Sequence, residues 1–232
     1  NKLDRTGANF ENSYKSILER LSPKAIRVQI PIGLEDKHEG AVDLLKMKAY
    51  RFEGKMGEKV IEEEVPEELR AEAEKYRGEL IERIVENDEV LMNEYLEGKE
   101  IPLDKLKEIL RKAVIANEIF PVFAGSALKN KGVQLVLDAV VDFLPSPIDL
   151  VPVKGINPKT KEEEERKPSD DEPFCALAFK LQTDPFVGQL TFFRVYSGTV
   201  SAGSYIYNST TGNKERLGRI VRLQADKREE IK

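Results

Sequence analysis

Cysteine and histidine are almost absent from this sequence of 232 residues, which contains one of each. The single thiol, Cys175, cannot form an internal disulfide, and Cys175 together with His38 supplies too few ligands for a zinc site of the usual kind. No apolar run is long enough to cross a bilayer, and no signal-peptide pattern opens the sequence. These absences exclude disulfide-stabilised, zinc-dependent and membrane-spanning proteins, and they predict a cytoplasmic protein without a membrane partner.

A phosphate-binding loop is also missing from the sequence. Such a loop needs G-x-x-x-x-G-K followed by Ser or Thr, whereas the Gly-Lys pairs at 54–55 and 98–99 are followed by Met and Glu. A D-x-x-G pattern at 4–7 precedes a helix rather than ending a strand, so we interpret it as a coincidence. The sequence therefore predicts no phosphate cradle, no catalytic residue and no metal site among these 232 residues.

Positive charge is scarcer than negative charge, and it is concentrated at one end of the chain. The sequence contains 37 Lys or Arg and 42 Asp or Glu, a formal net charge of -5. Residues 173–232 hold nine basic and five acidic residues, which leaves 28 basic and 37 acidic residues in 1–172. An acidic front and a basic tail indicate two surfaces with different partners, although ordinary solvated surface charge gives the same composition.

Apolar periodicity predicts alternating helices and strands over the front of the chain. One helical face is predicted from Phe10, Tyr14, Ile17, Leu18 and Leu21. The pattern then predicts a strand over 25–32, a β-hairpin of 40–52 and 58–65 with Gly54 and Gly57 at its turn, and a helix over 103–116. The apolar strand 119–124 leads through Gly125-Ser126 into a helix whose apolar face is predicted from Val133, Val136, Leu137, Val140, Val141 and Leu144. Strand, loop and helix form the βα unit of an α/β sheet.

The predicted helix over 67–86 has two contrasting faces, and a kink is possible at Gly78. Its apolar stripe consists of Leu69, Ala73, Tyr76, Leu80 and Ile84. A second face, called the acidic face below, consists of Glu68, Glu72, Glu79, Glu82 and Glu86. Such a face is either a solvated helix surface or a site for a basic partner.

The chain changes character after residue 147. The charged stretch KTKEEEERKPSDDE follows and predicts a solvated linker. From Pro173 onward, short strands with Gly turns, including FCALAFKL, LTFFRVYSG, SYIYN and RLGRIVRLQ, predict an all-β domain of barrel type.

The opening residues carry the first chemical motif, because Asn1-Lys2-Leu3-Asp4 fits the N-K-x-D loop with which GTPases read guanine. A carboxylate at Asp4 can accept two parallel hydrogen bonds, from guanine N1–H and from the 2-amino group. Adenine presents a lone pair at N1, so the same carboxylate would stay unpaired at a cost of about 1–3 kcal/mol. Asn1 can tie the loop together and approach guanine O6 and N7, while the methylene stem of Lys2 can cover the base plane.

A second loop completes this interpretation, because Ser126-Ala127-Leu128-Lys129 fits the S-A-L-K loop of a guanine pocket and lies between an apolar strand and a helix. The backbone N–H of Ala127 can donate to guanine O6, and Ser126 can brace the carboxylate of Asp4. Alone, the four residues also fit an ordinary βα turn. Together the two loops predict a GTP or GDP site formed by Asn1, Lys2, Asp4, Ser126, Ala127 and Leu128.

Longer stretches of the chain resemble elongation factor G, a translational GTPase. The resemblance is carried by NKLDRTGANF, FAGSALKNKGVQLVLDAVVDFLPSP, DPFVGQLTFFRVYSGTVSAG and GRIVRLQADKREEI. It implies an α/β part of a P-loop-type GTPase domain, an α+β G-prime insertion and a partial all-β barrel. The implied boundaries are 1–23 and 118–147 for the GTPase part, 24–117 for the insertion, 148–172 for a linker and 173–232 for the barrel domain II, whose closing strands we expect to be missing.

The resemblance also implies a function and partners. The parent protein would be a monomer that couples GTP hydrolysis to tRNA and mRNA movement on the ribosome, with its phosphate and Mg²⁺ contacts upstream of Asn1, so that this piece is inactive alone. The acidic face would bind the C-terminal domain of the ribosomal stalk protein. The basic residues Arg216, Arg219 and Arg222 would contact rRNA.

Two alternatives stay open at this point. One is a non-catalytic ribosome- or RNA-binding protein without a GTPase core, and the other is a relative among ribosomal protection factors. A phosphate-binding loop about 100 residues before Asn1 in the coding sequence would favour the GTPase, whereas a start codon at this position would favour the binding protein.

Overall fold

The computed structural model of the protein describes residues 1–158, 160–184, 188–224 and 227–231. The chain divides into two compact units, residues 1–144 and 145–232. In these described ranges, no helix is long and apolar enough to cross a membrane.

The first unit alternates helices with two small sheets. Its elements are α1 (Phe10–Arg20), β1 (Ala25–Arg27), β2 (Gln29–Ile32), β3 (Gly40–Asp43), β4 (Lys48–Glu53), β5 (Lys59–Glu64), α2 (Glu67–Val85), α3 (Glu89–Leu96), α4 (Leu103–Ile115), β6 (Phe120–Val122) and α5 (Val133–Phe143). β1 and β6 pair in parallel, and the other strands form an antiparallel sheet in the order β2-β3-β4-β5. Everything from β2 to α4 is therefore inserted between the two strands of the parallel pair.

Most of the predicted elements in this unit are confirmed, with local differences. The predicted strand over 40–52 is two strands, because Asp43 turns the chain: its Oδ1 accepts the backbone N–H groups of Leu45 and Lys46, both at 2.9 Å. α2 continues through Gly78 without a break. The sequence did not predict α3, whose eight residues are too few to show a periodic stripe.

The buried faces of α1 and α2 follow the predicted stripes. In α1, Phe10 and Tyr14 are buried, whereas Leu21, predicted on the same face, is 79% exposed because it lies at the helix end. In α2, the predicted stripe faces the main core: Ala73, Leu80 and Ile84 are buried there, and Leu69 and Tyr76 pack against it. Periodicity alone was sufficient for both helices, since each has one apolar face.

Arg27 joins three elements of this unit. Its guanidinium carbon lies 4.3 Å from the ring centroid of Tyr14 on α1 and 3.8 Å from that of Tyr76 on α2. Its Nη1 donates to Glu11 Oε1 at 2.6 Å, and the arginine side chain is only 8% exposed. Two aromatic rings and the Glu11 carboxylate compensate for the water that the buried guanidinium has lost. Arg27 therefore connects α1, β1 and α2.

The predicted apolar face of α5 is wrong. The residues that α5 buries are Leu135, Ala139 and Phe143, while Leu137 and Val141 are 60% and 79% exposed. Of the predicted set, Val136, Leu137, Val140, Val141 and Leu144 lie on the exposed side of the helix, and Val133 is half-buried. The polar residues of α5, Gln134, Asp138 and Asp142, form one narrow stripe at steps of four, so apolar residues cover a much wider arc than the helix buries. Packing against α4, which includes the Lys107–Asp142 ion pair at 2.6 Å, decides which part of that arc is buried.

The second unit consists of β-hairpins. Its strands are β7 (Val153–Ile156), β8 (Glu163–Arg166), β9 (Cys175–Asp184), β10 (Gly188–Ser197), β11 (Tyr205–Asn208), β12 (Asn213–Arg216), β13 (Ile220–Gln224) and β14 (Lys227–Ile231). They pair antiparallel as β7-β8, β9-β10, β11-β12 and β13-β14. In the described part of this unit these pairs do not close into a barrel. The prediction of a β-rich domain is confirmed, but residues 153–166, expected in a linker, form a hairpin.

Candidate functional site

The two motif loops, residues 1–4 and 126–129, lie next to each other in the first unit. The backbone N–H of Leu3 donates to the carbonyl of Gly125 at 3.3 Å. The side-chain oxygen of Asn1 accepts the backbone N–H of Ala127 at 3.0 Å. The structure therefore brings together residues that are more than 120 positions apart in the chain.

The first loop is anchored by buried Leu3, which lies between Lys2 and Asp4, two residues predicted to contact the base. Leu3 is 5% exposed and packs with Phe10, Ala41 and Ala124 in a small separate core. Its carbonyl accepts the backbone N–H of Glu35 at 2.7 Å. Lys2 is exposed and has a φ of 66°, so the loop turns sharply beside the anchor. Burial of Leu3 thereby holds its neighbours at the surface.

The second loop is closed by paired backbone hydrogen bonds. The N–H of Ser126 donates to the carbonyl of Lys131 at 2.8 Å, and the N–H of Lys131 donates back to Ser126 at 2.9 Å. Inside the loop, the N–H of Asn130 donates to the carbonyl of Ala127 at 3.1 Å, with Asn130 at a φ of 52°. Ser126 is 1% exposed, whereas Leu128 at the tip is 72% exposed. The loop is a compact turn with a buried base.

The carboxylate of Asp4 is held in its ionised form. A hydrogen bond from the Ser126 side chain lowers the pKa of Asp4 below its ordinary value of 3.8, and the positive charges of Arg5 and Lys129 lower it further, while burial opposes them. Asp4 is therefore a permanent acceptor at neutral pH.

A polar cavity of about 470 Å³ opens beside Asp4. It is lined by Asp4, Glu35, Asp36, His38, Gly54, Lys55, Gly57, Lys129 and Lys131. Three carboxylates and three ammonium groups surround it, and its walls come from both loops, from the connection between β2 and β3 and from the turn between β4 and β5. The candidate site thus extends from the motif residues onto the inserted sheet.

Of the nine residues that line this cavity, the sequence had assigned only Asp4 to the site, and the missed residues include His38 and Gly57. His38 is 1% exposed; its Nδ1 lies 3.3 Å from the Gly33 carbonyl, and its carbonyl accepts a hydrogen bond from Lys131 Nζ. Gly57 approaches the backbone of the second loop. Neither lies in a recognisable motif, and the only available signal was the unusual presence of Gly54 and Gly57 in one turn.

The described residues offer no metal centre at this site. No group of three or more His, Cys, Asp or Glu side chains in the described part of the chain could hold a metal ion.

Two further groups of charged residues were singled out in the sequence. All five glutamates of the acidic face are exposed on α2, where spacings of four, seven, three and four residues keep them on one side of the helix. Arg83 on the same helix pairs with Glu86. In the second unit, Arg216, Arg219 and Arg222 are exposed, and Arg222 Nη1 lies 3.9 Å from Glu229.

Comparison with known proteins places both units. The family model described as Elongation factor Tu GTP binding domain matches residues 1–146, and the one described as Elongation factor G domain 2 matches residues 173–232. A crystal structure of a protein from Thermus thermophilus superposes with a TM-score of 0.74 at 27% identity, covering 99% of this chain and 31% of that one. Because the GTP-binding-domain model alone spans more than half of its residues, this chain belongs to the translational GTPase family.

Proposed function

We propose that the two loops read the guanine base of GTP or GDP. The observation that carries the proposal is the Asn1–Ala127 hydrogen bond, which brings an ionised Asp4, oriented by Ser126, to the edge of a cavity. The carboxylate accepts N1–H and the 2-amino group of guanine, and it repels the N1 lone pair of adenine. A GTP-binding domain family supports a guanine nucleotide as the ligand.

The remaining loop residues complete the base contacts. The N–H of Ala127, which donates to Asn1 Oδ1 at 3.0 Å in the free site, donates to guanine O6 when the base is bound. Asn1 then turns toward N7 of the base. The exposed stem of Lys2 covers the ring plane, and Leu128 projects at the tip of the second loop.

The wider role that fits these contacts is that of a ribosomal translocation factor similar to elongation factor G, acting in the cytoplasm. The boundaries predicted from the sequence are 1–23 and 118–147 for its GTPase part, 24–117 for its G-prime insertion, 148–172 for its linker and 173–232 for its domain II. Because β1 pairs with β6, we assign β1 to the GTPase part and begin the insertion after it. The match to the Elongation factor G domain 2 model supports this role. The chain spans 31% of the Thermus protein that it resembles, so translocation is proposed for a longer protein that contains it.

The two charged surfaces are the proposed contacts with the ribosome. The acidic face suits a basic partner, and by family resemblance that partner is the C-terminal domain of the stalk protein. The exposed Arg216, Arg219 and Arg222 suit phosphates of rRNA. These arginines also favour the second candidate, an RNA-binding protein that does not use GTP, which predicts RNA binding with a steep salt dependence and no base-specific response at Asp4.

The chain itself should neither hydrolyse GTP nor bind it tightly. No G-x-x-x-x-G-K sequence occurs among its 232 residues, and phosphate contacts supply most nucleotide affinity and transition-state stabilisation. Base contacts alone give weak binding, which NMR titration measures directly.

The test is a titration of the chain with GMP and AMP, followed through the amides of Leu3 and Ala127. GMP should shift both amides, and AMP should not. Asp4→Ala should abolish the GMP response, while Asp36→Ala, which removes another carboxylate lining the cavity, should leave it unchanged. Equal responses to GMP and AMP would reject guanine reading.

A further inference from the structure

We propose that Gly57, in the turn between β4 and β5, is a positioning residue that holds the amide of Ala127 where it meets guanine O6. The proposal rests on the guanine reading proposed above. The inserted sheet would then support one part of base recognition, the contact to O6. Ala127 makes that contact, and Gly57 acts on it only through the position of the second loop.

The backbone of the turn touches the backbone of the second loop at Gly57. A Cβ atom built on Gly57 would lie 2.6 Å from the carbonyl oxygen of Lys129 and 2.9 Å from that of Asn130. Neither atom belongs to a flexible side chain that could move aside. Gly57 also has a φ of 59°, a region that residues with a side chain rarely adopt. Only glycine fits this contact without shifting the loop.

Hydrogen bonds fix the same contact from the other side. Gln134 Nε2, in the first turn of α5, donates to the carbonyl of Gly57 at 3.1 Å, and Asn130 Nδ2 approaches the same oxygen at 3.5 Å. Lys131 Nζ donates to the carbonyl of His38 at the end of the loop. The inserted sheet therefore holds the second loop at several points along 129–134.

The contact is transmitted to Ala127 through one short path. The N–H of Asn130 donates to the carbonyl of Ala127 at 3.1 Å, so a displacement of Lys129 and Asn130 moves the Ala127 peptide. The N–H of Lys129 also donates to Ser126 Oγ, at 3.4 Å, but Ser126, which lowers the pKa of Asp4, is held separately by its two backbone hydrogen bonds with Lys131 at 2.8 and 2.9 Å. A change at Gly57 should accordingly weaken the O6 contact and spare the contacts to N1–H and the 2-amino group.

Two guanine analogues separate these contacts. In 6-thio-GMP a sulfur atom, which is a weak acceptor, replaces O6 and leaves the edge facing Asp4 intact. In IMP the 2-amino group is absent and O6 remains. The affinity ratio of GMP to 6-thio-GMP therefore reports the O6 contact, and the ratio of GMP to IMP reports the Asp4 contact.

The experiment compares Gly57→Ala with Gly98→Ala in this chain by NMR titration. Gly98, in the turn after α3, has a φ of 77°, so both substitutions place a side chain at a positive φ, but a Cβ at Gly98 meets no atom within 4 Å and Gly98 does not line the cavity. Gly57→Ala should weaken GMP binding about tenfold, as expected for one lost hydrogen bond, bring the GMP to 6-thio-GMP ratio to about one and keep the GMP to IMP ratio. Gly98→Ala should keep all three affinities.

A second variant covers the case in which Gly57→Ala does not fold. Gln134→Met removes the hydrogen bond to the Gly57 carbonyl without altering the turn, and it should lower the GMP to 6-thio-GMP ratio selectively. If wild type discriminates against both analogues and neither variant changes the 6-thio-GMP ratio, the positioning role of Gly57 is wrong while guanine reading stands. If wild type discriminates against neither analogue, guanine reading fails and the positioning role fails with it.

Discussion

Single side chains decide what the two loops can bind. Asp4 is ionised because Ser126 donates to it and because Arg5 and Lys129 are close. The side-chain oxygen of Asn1 accepts the N–H of Ala127, so a hydrogen bond already holds the two loops together without a ligand. Under the guanine reading proposed above, a base that replaces these contacts would find acceptor and donor in position, which would limit the entropic cost of binding.

Replacing the carboxylate of Asp4 by an amide should change the preferred base. Asn has a donor where Asp can only accept, so Asp4→Asn should weaken GMP binding and strengthen binding of xanthosine monophosphate, whose C2 carbonyl can accept that donor. Parallel titrations of wild type and variant with the two nucleotides measure the shift. Ser126→Ala serves as the comparison, because it loosens the carboxylate without reversing its chemistry. If the folded Asp4→Asn variant loses affinity for GMP and for xanthosine monophosphate to the same extent, Asp4 is not the residue that reads the base.

His38 should make the stability of the protein dependent on pH between about 7 and 5. Burial lowers the pKa of His38 below 6.5, and Lys131 adds to this effect, whereas the Gly33 carbonyl and Asp4 oppose it. The unfolded chain then binds a proton at a pH where the folded chain does not. The free energy of unfolding should therefore fall as pH drops below 6.5, by at most about 1.4 kcal/mol per pH unit for one group.

Urea unfolding of wild type and His38→Phe at pH 7 and pH 5 tests this. The sequence contains one histidine, so the variant removes the imidazole. Burial raises the pKa of the Asp43 carboxyl, and comparison of the two proteins at the same pH values cancels this shared contribution. The loss of stability between pH 7 and 5 should be smaller in His38→Phe. An identical loss in both proteins would assign the pH dependence to other groups.

At the scale of elements, packing connects the loops with the charged helix. β4 and β5 end in the turn that contacts the second loop, and α2 follows β5 directly. Arg27 fixes α2 to α1, the helix that starts after the first loop. The acidic face therefore lies on a helix that is attached to both sides of the candidate site.

Loss of Arg27 should destabilise this connection. Arg27→Met leaves Glu11 without its cation and two rings without their stacked guanidinium, and we expect a decrease of about 2–3 kcal/mol in the free energy of unfolding. Lys24→Met, which breaks the exposed Lys24–Glu118 pair, should cost less than about 1 kcal/mol. Urea titrations give both values, and similar effects of the two substitutions would contradict a joining role for Arg27.

Charge reversal on the acidic face should slow binding of the stalk-protein C-terminal domain. The triple substitution of Glu79, Glu82 and Glu86 to Lys should lower the association rate more than it raises the dissociation rate, and added salt should shrink the effect. A control with the same change in net charge replaces the exposed Glu162, Glu163 and Glu165 by Lys. If both triple variants change the stopped-flow rates equally, the acidic face contributes no more to binding than ordinary surface charge.

The two units of the molecule differ in how much they bury. In the described residues of the second unit, the buried side chains are Ser197 and Ile220, and large apolar residues such as Phe179 and Leu181 are more than 60% exposed. Its strands pair only two by two. The first unit contains a core of more than twenty buried residues. Most of the stabilising apolar burial therefore belongs to residues 1–144.

Hydrogen exchange should show this difference directly. Amides from Leu190 to Leu223 should exchange faster than those of α5, because local opening of a two-stranded ladder disrupts little packing. The measurement is made on the monomeric chain, with concentration varied to detect pairing of exposed strand edges between copies. Protection over Leu190 to Leu223 equal to that of α5 would show that this region is closed by contacts of its own.

The sequence by itself determined the elements whose pattern is local and one-sided. α1 and α2 each have a single apolar face, and the motif loops carry their chemistry in consecutive residues, so spacing was sufficient to find them. The sequence did not predict α3 or the turn at Asp43. A helix of eight residues and a turn held by one side chain give no periodic signal.

Only the tertiary structure decided the features that depend on distant neighbours. α5 is apolar on all sides except the narrow stripe of Gln134, Asp138 and Asp142, and packing against α4 selects which part of this wide apolar surface is buried. The partner of the Ala127 amide is a residue at the other end of the unit, and the glycine that supports its loop belongs to an inserted hairpin. Contacts between residues far apart in the chain leave no local pattern, because they are fixed by how packed elements meet.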